Sequence, residues 1–345
     1  MSRRPTFKRS FRWEIVPDEG VFLLSEKDYL LLRGAAYTQV APFLGGQYTE
    51  EEIVERLKGQ RSAPEVFYVL ERLRRDGYVV DAIPSLAPEH AAFWEMLDIP
   101  PEVAAKRLQE ITISLVSVGR IEADPFKIML ESLGIRVGAD GERKVVLTDD
   151  YLQIGLDTFN QQALSQNQPW LLVKPVGTEL WLGPLFVPGQ TGCWACLAHR
   201  LRGHRKVESY LAEKKGIPGP FPIALSALPS TLQTAFSLAA TEIAKWVVCG
   251  QNPNLAGKVV TLNTLTLEQR HHLLLRRPQC PCCGNPGVFT ASQFRPLQLH
   301  SQEKTFIADG GHRGLSPEET YQKLEHHLSP ITGIVSMLRP ITMGG

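Results

Sequence analysis

Six cysteines are spread over the 345 residues, and four of them fall into two pairs, Cys193-Trp-Ala-Cys196 and Cys280-Pro-Cys-Cys283. A two-residue gap lets one tight knuckle aim both thiolates at a single ion. Two such pairs supply four soft sulfur donors, the closed tetrahedral shell that zinc takes in structural sites. No position is left for water or substrate, so the metal implied is structural and not catalytic. Gly192 and Gly284 flank the pairs and suit the turns that knuckles need. The ligands are assigned as Cys193, Cys196, Cys280 and Cys283, with Cys282 able to replace a neighbour and a thioredoxin-like redox pair as the rival reading. His199 reads as solvated helix face and Cys249 as a buried free thiol. The wide separation of the pairs predicts a metal that clips distant segments together.

The frame that holds these cysteines is large and electrically neutral. Residues of apolar type make up 43% of the chain, and 37 lysines and arginines balance 36 aspartates and glutamates. That length predicts two or three domains, and the balance exerts no global pull toward nucleic acid or membrane. The basic start Met1–Ser10 is not followed by an apolar run, so it does not read as a secretory signal. The most apolar helix candidate, Leu228–Val248, carries Glu242 and Lys245 and reads as buried, not membrane-spanning. Cys-x-x-Cys pairs without a signal favour metal in a reducing compartment, and the cytoplasm is the expected location.

Periodicity and turn residues divide the chain into four stretches. Residues 1–81 carry strands at Phe11–Val16, Val21–Ser25, Asp28–Arg33 and Tyr78–Asp81. Helices are expected at Ala35–Phe43, Glu50–Lys58 and Ala63–Arg75, the last two opened by capping boxes at Thr49-x-x-Glu52 and Ser62-x-x-Glu65. This is the pattern of a winged helix-turn-helix. Residues 82–110 read as a linker with one helix, Pro88–Leu97. Residues 111–295 change to β-α-β grammar, which predicts a mostly parallel sheet in an α/β domain. Strands fall at Ile111–Val118, Ile135–Val137 and Lys144–Thr148, helices at Pro125–Leu133 and Leu156–Gln166, and a hairpin joins Trp170–Val176 to Glu179–Leu185. A basic, mobile stretch, His199–Lys215, then precedes a long helix from Ser230, boxed by Gln233. Residues 296–345 contain one helix start, Ser316-Pro-Glu-Glu.

Two further constellations bear on chemistry. Nucleotide-binding α/β sheets cradle phosphate on a glycine-rich loop after the first strand. Here that loop is Ser117-Val-Gly-Arg-Ile-Glu-Ala-Asp, with the single glycine Gly119 and no convincing cationic constellation after it. Asp149 and Asp150, after the following strand, read as a helix cap in preference to a magnesium site. The first module binds either DNA or peptide, and its charge decides: residues 1–81 hold thirteen basic and thirteen acidic side chains. A duplex binder usually carries a basic face, and Arg72, Arg74 and Arg75 are diluted by Glu65, Glu71 and Asp76. Strand addition to an exposed sheet edge is the better reading.

Longer motifs then narrow the class. The stretches Gln168-Pro-Trp-Leu-Leu-Val-Lys-Pro-Val-Gly, Trp181-Leu-Gly-Pro-Leu-Phe-Val-Pro-Gly and Thr191-Gly-Cys-Trp-Ala-Cys-Leu resemble the amino-terminal half of cyanobactin-type heterocyclases. So do Leu228-Pro-Ser-Thr-Leu-Gln-Thr, Ala240-Thr-Glu-Ile-Ala-Lys-Trp and Arg277-Pro-Gln-Cys-Pro. These are azoline-forming (TOMM) cyclodehydratases of ribosomal peptides. The resemblance implies a winged-helix recognition element that binds the leader of a precursor peptide, followed by a ThiF-like domain of the ubiquitin-activating type with structural zinc. It implies next a YcaO domain that uses ATP and magnesium, acting in cis or in trans.

The resemblance also assigns residues. It places the leader along Asp28, Tyr29, Leu30, Leu31, Leu32 and Arg33, with Phe67, Leu70 and Arg74 as walls, while Leu30 and Leu32 also fit an ordinary core. It implies a homodimer. Asp309-Gly-Gly-His-Arg, Ser316-Pro-Glu-Glu-Thr and Ser329-Pro-Ile-Thr-Gly look like the opening of the YcaO domain, whose nucleotide-binding carboxylates would lie beyond residue 345. The chain alone is therefore expected not to cyclise a peptide. The rival functions are a ThiF-type adenylating enzyme and a zinc-containing winged-helix DNA-binding regulator.

Overall fold

The computed structural model describes residues 3–82 and 87–285, together with Glu318, Glu319 and Gln322. The chain divides into two compact units, Met1–Val288 and Phe289–Gly345. In the second, Glu318, Glu319 and Gln322 are helical; the Asp309 and Ser329 motifs lie outside the described residues.

The first unit opens with β1 (Pro5–Phe7), then β2 (Arg12–Val16), β3 (Gly20–Leu24) and β4 (Tyr29–Leu32), which form an antiparallel sheet in the order β2-β3-β4. Helices α1 (Ala35–Val40), α2 (Glu50–Arg56) and α3 (Ala63–Arg75) follow, and β5 (Val79–Asp81) returns to pair with β1. Both expected capping boxes form. The Thr49 hydroxyl accepts from the Glu52 N–H at 3.2 Å while the Glu52 carboxylate accepts from the Thr49 N–H at 2.8 Å. The Glu65 carboxylate accepts from the N–H and hydroxyl of Ser62 at 3.0 and 2.8 Å. Helix α3 buries Val66, Val69, Leu70 and Leu73, the spacing of one helical face, in one cluster with Val21 and Leu23 of β3. Strand β1 is a sequence-level miss: three residues led by a proline carry no periodic signal.

The stretch expected to be a linker is built into a core. Besides α4 (Pro88–Glu95) it holds an unforeseen helix, α5 (Pro101–Glu110), and Trp94, Ala104 and Leu108 join the main apolar cluster. Then come β6 (Thr112–Val118), α6 (Asp124–Ser132), β7 (Arg136–Val137), β8 (Arg143–Thr148), α7 (Gly155–Ser165), β9 (Trp170–Lys174) and β10 (Glu179–Phe186). They are followed by α8 (Trp194–His204), α9 (Lys206–Lys215), α10 (Pro229–Cys249), β11 (Lys258–Asn263) and β12 (Gln269–Leu273).

The seven strands form one sheet in the order β12-β11-β10-β9-β8-β6-β7. It is parallel from β7 to β9 and antiparallel from β9 to β12, so the expected mostly parallel sheet holds for half its width. The tight turn at Gly177 and the hairpin after Asn263 reverse the chain without a crossover, which forces antiparallel pairing. Along β8, Val145 and Leu147 enter the cluster shared with α5, α6 and α10, while Val146 enters the cluster shared with α7 and α8. A sheet covered on both faces needs this continuous apolar run.

Three local expectations change. His199–Lys215 is helical in α8 and α9, because its basic residues are interleaved with leucine, alanine and glutamate and Arg205 is anchored on Asp150 at 2.7 Å. Helix α10 begins one residue earlier than expected, and Thr231, not Ser230, closes its first turn by accepting from the Leu228 N–H at 3.0 Å. Cys249 is exposed, since Gly250 ends the helix there.

Candidate metal centre and peptide-binding edge

Cys193 and Cys196 lie at the start of α8, and Cys280 and Cys283 in the loop after β12. The four sulfurs all lie within 4.8 Å of one another. The closest pairs cross between the two knuckles: Cys193 to Cys280 at 3.6 Å and Cys196 to Cys283 at 3.5 Å. Sulfurs bound at about 2.3 Å to one tetrahedral zinc sit about 3.8 Å apart, so the cluster has the right size. Three of the four side chains are buried and Cys283 is half-buried. Within each knuckle the backbone turns back on itself, with Cys196 N–H donating to the Cys193 carbonyl at 3.0 Å and Gly284 N–H to the Cys280 carbonyl at 2.9 Å. A Cβ at Gly284 would lie 2.3 Å from the Pro278 oxygen and 2.4 Å from the Cys280 oxygen. Only glycine lets the chain close here.

Residues that the Cys-x-x-Cys pattern does not announce hold the cluster in place. The Arg277 N–H donates to Cys196 Sγ at 3.4 Å. Arg276 Nε donates to the Cys283 carbonyl at 2.7 Å, and the Asn160 side-chain oxygen accepts from the Trp194 N–H at 3.0 Å. Arg277, three residues before Cys280, is the only one a sequence signal could have found, as the amide that faces a knuckle sulfur. On the thiols alone the protons divide unequally. The hydrogen bond from Cys193 pulls Cys196 below the usual thiol range; the same bond, then burial, pushes Cys193 up; burial pushes Cys283 up as well. Four thiolates cannot share this space without a cation between them, and a divalent soft-ligand ion offsets that repulsion. Cys282 stands outside the cluster and His199 is exposed on α8.

The second candidate site is the free side of β4. Among the described residues this strand pairs only with β3, in the register Val21↔Leu32, Phe22↔Leu31, Leu23↔Leu30 and Leu24↔Tyr29. The Ser25 N–H reaches the Asp28 carbonyl at 2.8 Å, so even-numbered residues turn their backbone groups toward β3. By alternation, Tyr29 and Leu31 turn theirs outward. Leu30 and Leu32 pack on the module core, whereas Tyr29 is 78% exposed. Asp28 and Arg33, exposed, lie just outside the strand at either end.

The residues expected as walls divide. Phe67 is exposed on α3, Leu70 is buried in the core at 1% exposure, and Arg74 is engaged with Glu50, Glu71 and Asp81. Leu70 therefore packs the module and presents no surface to a ligand.

The carboxyl ends of β6 and β8 are where a doubly wound sheet takes a nucleotide. There Asp149, 5% exposed, accepts from Arg120 at 2.9 Å and from Gln153 at 2.8 Å. Asp150 accepts from the Leu152 N–H at 2.8 Å and from Arg205 at 2.7 Å. Neither carboxylate caps α7, contrary to the expectation, since its first residue is preceded by Ile154 with no side-chain cap.

A winged-helix module with a free edge, joined to a ThiF-like α/β domain with a four-cysteine cluster, defines the class. The winged helix-turn-helix domain family matches residues 6–81. A heterocyclase solved in complex with substrate and cofactor is 46% identical, with a TM-score of 0.80 over 96% of this chain and 45% of that one. The heterocyclase TruD is 44% identical, with a TM-score of 0.79 over 96% of this chain and 48% of that one. E. coli MccB, 13% identical with a TM-score of 0.54 over 87% of this chain and 99% of that one, shares the fold. No curated protein matches the chain. The chain is thus a relative of the heterocyclases along almost its whole length, as its motifs indicate, and it spans about half the length of the two heterocyclases it matches. Among the described residues no helix is long and apolar enough to cross a membrane.

Proposed function

We propose that this chain binds the leader of a ribosomal precursor peptide on the free edge of β4 and presents the peptide to a YcaO-type, ATP- and magnesium-dependent cyclodehydratase that forms thiazolines and oxazolines. The observation that carries the reading is the 46% identity, over 96% of the chain, to a heterocyclase solved with its substrate. The outward backbone groups of Tyr29 and Leu31 support it, because an extended peptide adds to such an edge through main-chain hydrogen bonds. Residues 1–81 are the recognition module in this reading and residues 111–295 the scaffold. Cys193, Cys196, Cys280 and Cys283 hold a structural zinc that joins the start of α8 to the loop after β12. The YcaO part belongs to residues 296–345 and beyond, or to a second chain, and the assembly is a homodimer.

Leu31→Pro is the direct test. It deletes an outward N–H without touching the ladder to β3, and proline is tolerated on sheet edges. Calorimetry with the cognate leader should show an affinity loss of about tenfold or more, since a main-chain bond and its neighbours are lost together. Unchanged affinity in a folded Leu31→Pro protein, or tight binding of duplex DNA with a steep salt slope, would sink the reading.

A further inference from the structure

The large sheet has a free edge of its own, lined by arginine and histidine side chains. Strand β12, Gln269-Arg-His-His-Leu, is exposed at every residue and, among the described residues, pairs only with β11. The Leu274 N–H reaches the Gly257 carbonyl at 2.8 Å and the Asn263 N–H reaches the Glu268 carbonyl at 2.9 Å. Even-numbered residues therefore face β11, and Gln269, His271 and Leu273 turn their amides and carbonyls to the open side. No hydrogen bond takes them up among the described residues.

Beside this edge runs a cavity of about 310 Å³ between the sheet and α8. The stripe Leu197, Arg200, Leu201 and His204 of α8, spaced as one helical face, forms one wall. Arg270 and His272 of β12, on the same face as Thr261 and Val259 opposite them, form the other. Trp181 floors the groove, and Glu179 is its one acid against two arginines and two histidines. Arg270 is paired with Glu268 at 2.8 Å. Arg200 and His204 have no ion-pair or hydrogen-bond partner among the described residues, so both side chains are free to meet a carboxylate.

We propose that β12 and this groove form a second peptide-binding edge, which takes an extended acidic segment as an eighth strand. Main-chain bonds to Gln269, His271 and Leu273 hold the strand, and carboxylates on one of its faces reach Arg200 and His204 across the groove. The unpartnered arginine selects the partner: a second copy of β12 would bring no free carboxylate to Arg200, because its neighbouring acid, Glu268, is already paired with Arg270 at 2.8 Å. The inference is independent of the leader reading, because it uses another sheet, another probe and other variants.

The probe is a capped heptapeptide of alternating valine and glutamate, with its valine–lysine counterpart as control, titrated into the full chain while tryptophan fluorescence and calorimetry are followed. The glutamate peptide should bind, and more weakly as salt rises, while the lysine peptide does not. Arg200→Ala/His204→Ala, at exposed helix positions, should weaken it about tenfold. His271→Pro, which removes an outward N–H and spares the β11 ladder, should weaken it at least as much. Melting curves and metal content matching wild type show that each variant is folded. Equal binding of the two peptides, no binding of the acidic peptide at millimolar concentration, or unchanged affinity in folded His271→Pro overturns the proposal.

Discussion

Cys196→Ser tests whether the four-cysteine cluster is a structural clamp. Cys196 is fully buried, and its pair is bridged to partners 87 residues further along the chain, Cys193 to Cys280 and Cys196 to Cys283. A cross-link that closes a loop of that length restricts the unfolded chain by about 4–5 kcal/mol on the chain-entropy scale. Zinc bound only by the folded state acts in the same way. A domain of this size loses about 2–4 °C of Tm per kcal/mol, so the variant should melt roughly 10–15 °C below wild type. The melt is read by tryptophan fluorescence, because Trp170, Trp181 and Trp194 all pack in or against the cluster on the α8 side of the sheet. Metal content, measured by atomic absorption, should fall from one zinc per chain to none. Cys282→Ser and Cys249→Ser should keep one zinc and the wild-type melt. A zinc-free Cys196→Ser protein that melts like wild type would refute the clamp, whatever its peptide affinity.

Other perturbations separate packing from function. Leu70→Ala should cost about 2–5 kcal/mol of stability, the range for a buried leucine, and in denaturant titration this loss should appear with leader affinity intact once the protein is folded. Lys174 is 8% exposed and donates to the carbonyls of Val176 and Glu179 at 2.8 and 2.9 Å, and burial pulls its pKa down to about 8. The unfolded chain then binds more protons than the folded one between about pH 8 and 10.5, so stability contributed at this site rises with pH across that window; wild type should gain on Lys174→Met there and nowhere below pH 7. ATP–pyrophosphate exchange by the purified chain should stay at background, and measurable turnover would revive the adenylating alternative.

Where local rules agreed with burial, the sequence was enough. The capping boxes at Thr49 and Ser62, the apolar strand through Val145–Leu147 and the doubled Cys-x-x-Cys pattern each state their structure in a few residues. What stayed hidden depends on partners distant in the chain. Helix α5 lies in a proline-bounded stretch that reads as linker until α10 is known to cover Ala104 and Leu108. Strand β12 has no buried residue, so its polar run carries no period-2 signal at all. Edge strands are polar because they must not aggregate, and the same choice hides them. Leu70 shows the converse error: it shares one side of α3 with exposed Phe67 and half-buried Arg74, at i+3 and i+4 spacing, yet packs wholly into the core.

The ends of the parallel strands, where this architecture usually carries its chemistry, are occupied by the protein itself. Gly119 holds φ +118°, and a Cβ there would fall 2.1 Å from Asp149 Oδ1. The glycine thus serves the approach of a carboxylate to the loop after β6, in the space where a phosphate would approach backbone amides. Hydrogen bonds from Arg120 and Gln153 keep the Asp149 pKa lowered against the opposing effect of burial, so the group stays anionic. A triphosphate entering the loop would meet a buried negative charge and would have to break the Arg120 pair to relieve it. Each carboxylate oxygen already accepts one hydrogen bond, from Arg120 and from Gln153, so a ribose hydroxyl would have to share an acceptor that the protein holds. Arg205 closes the neighbouring Asp150 in the same way. With Arg120 and Arg205 paired to the strand-end carboxylates and the cysteines turned inward, the proposed peptide sites fall instead on two sheet edges of this unit, β4 and β12.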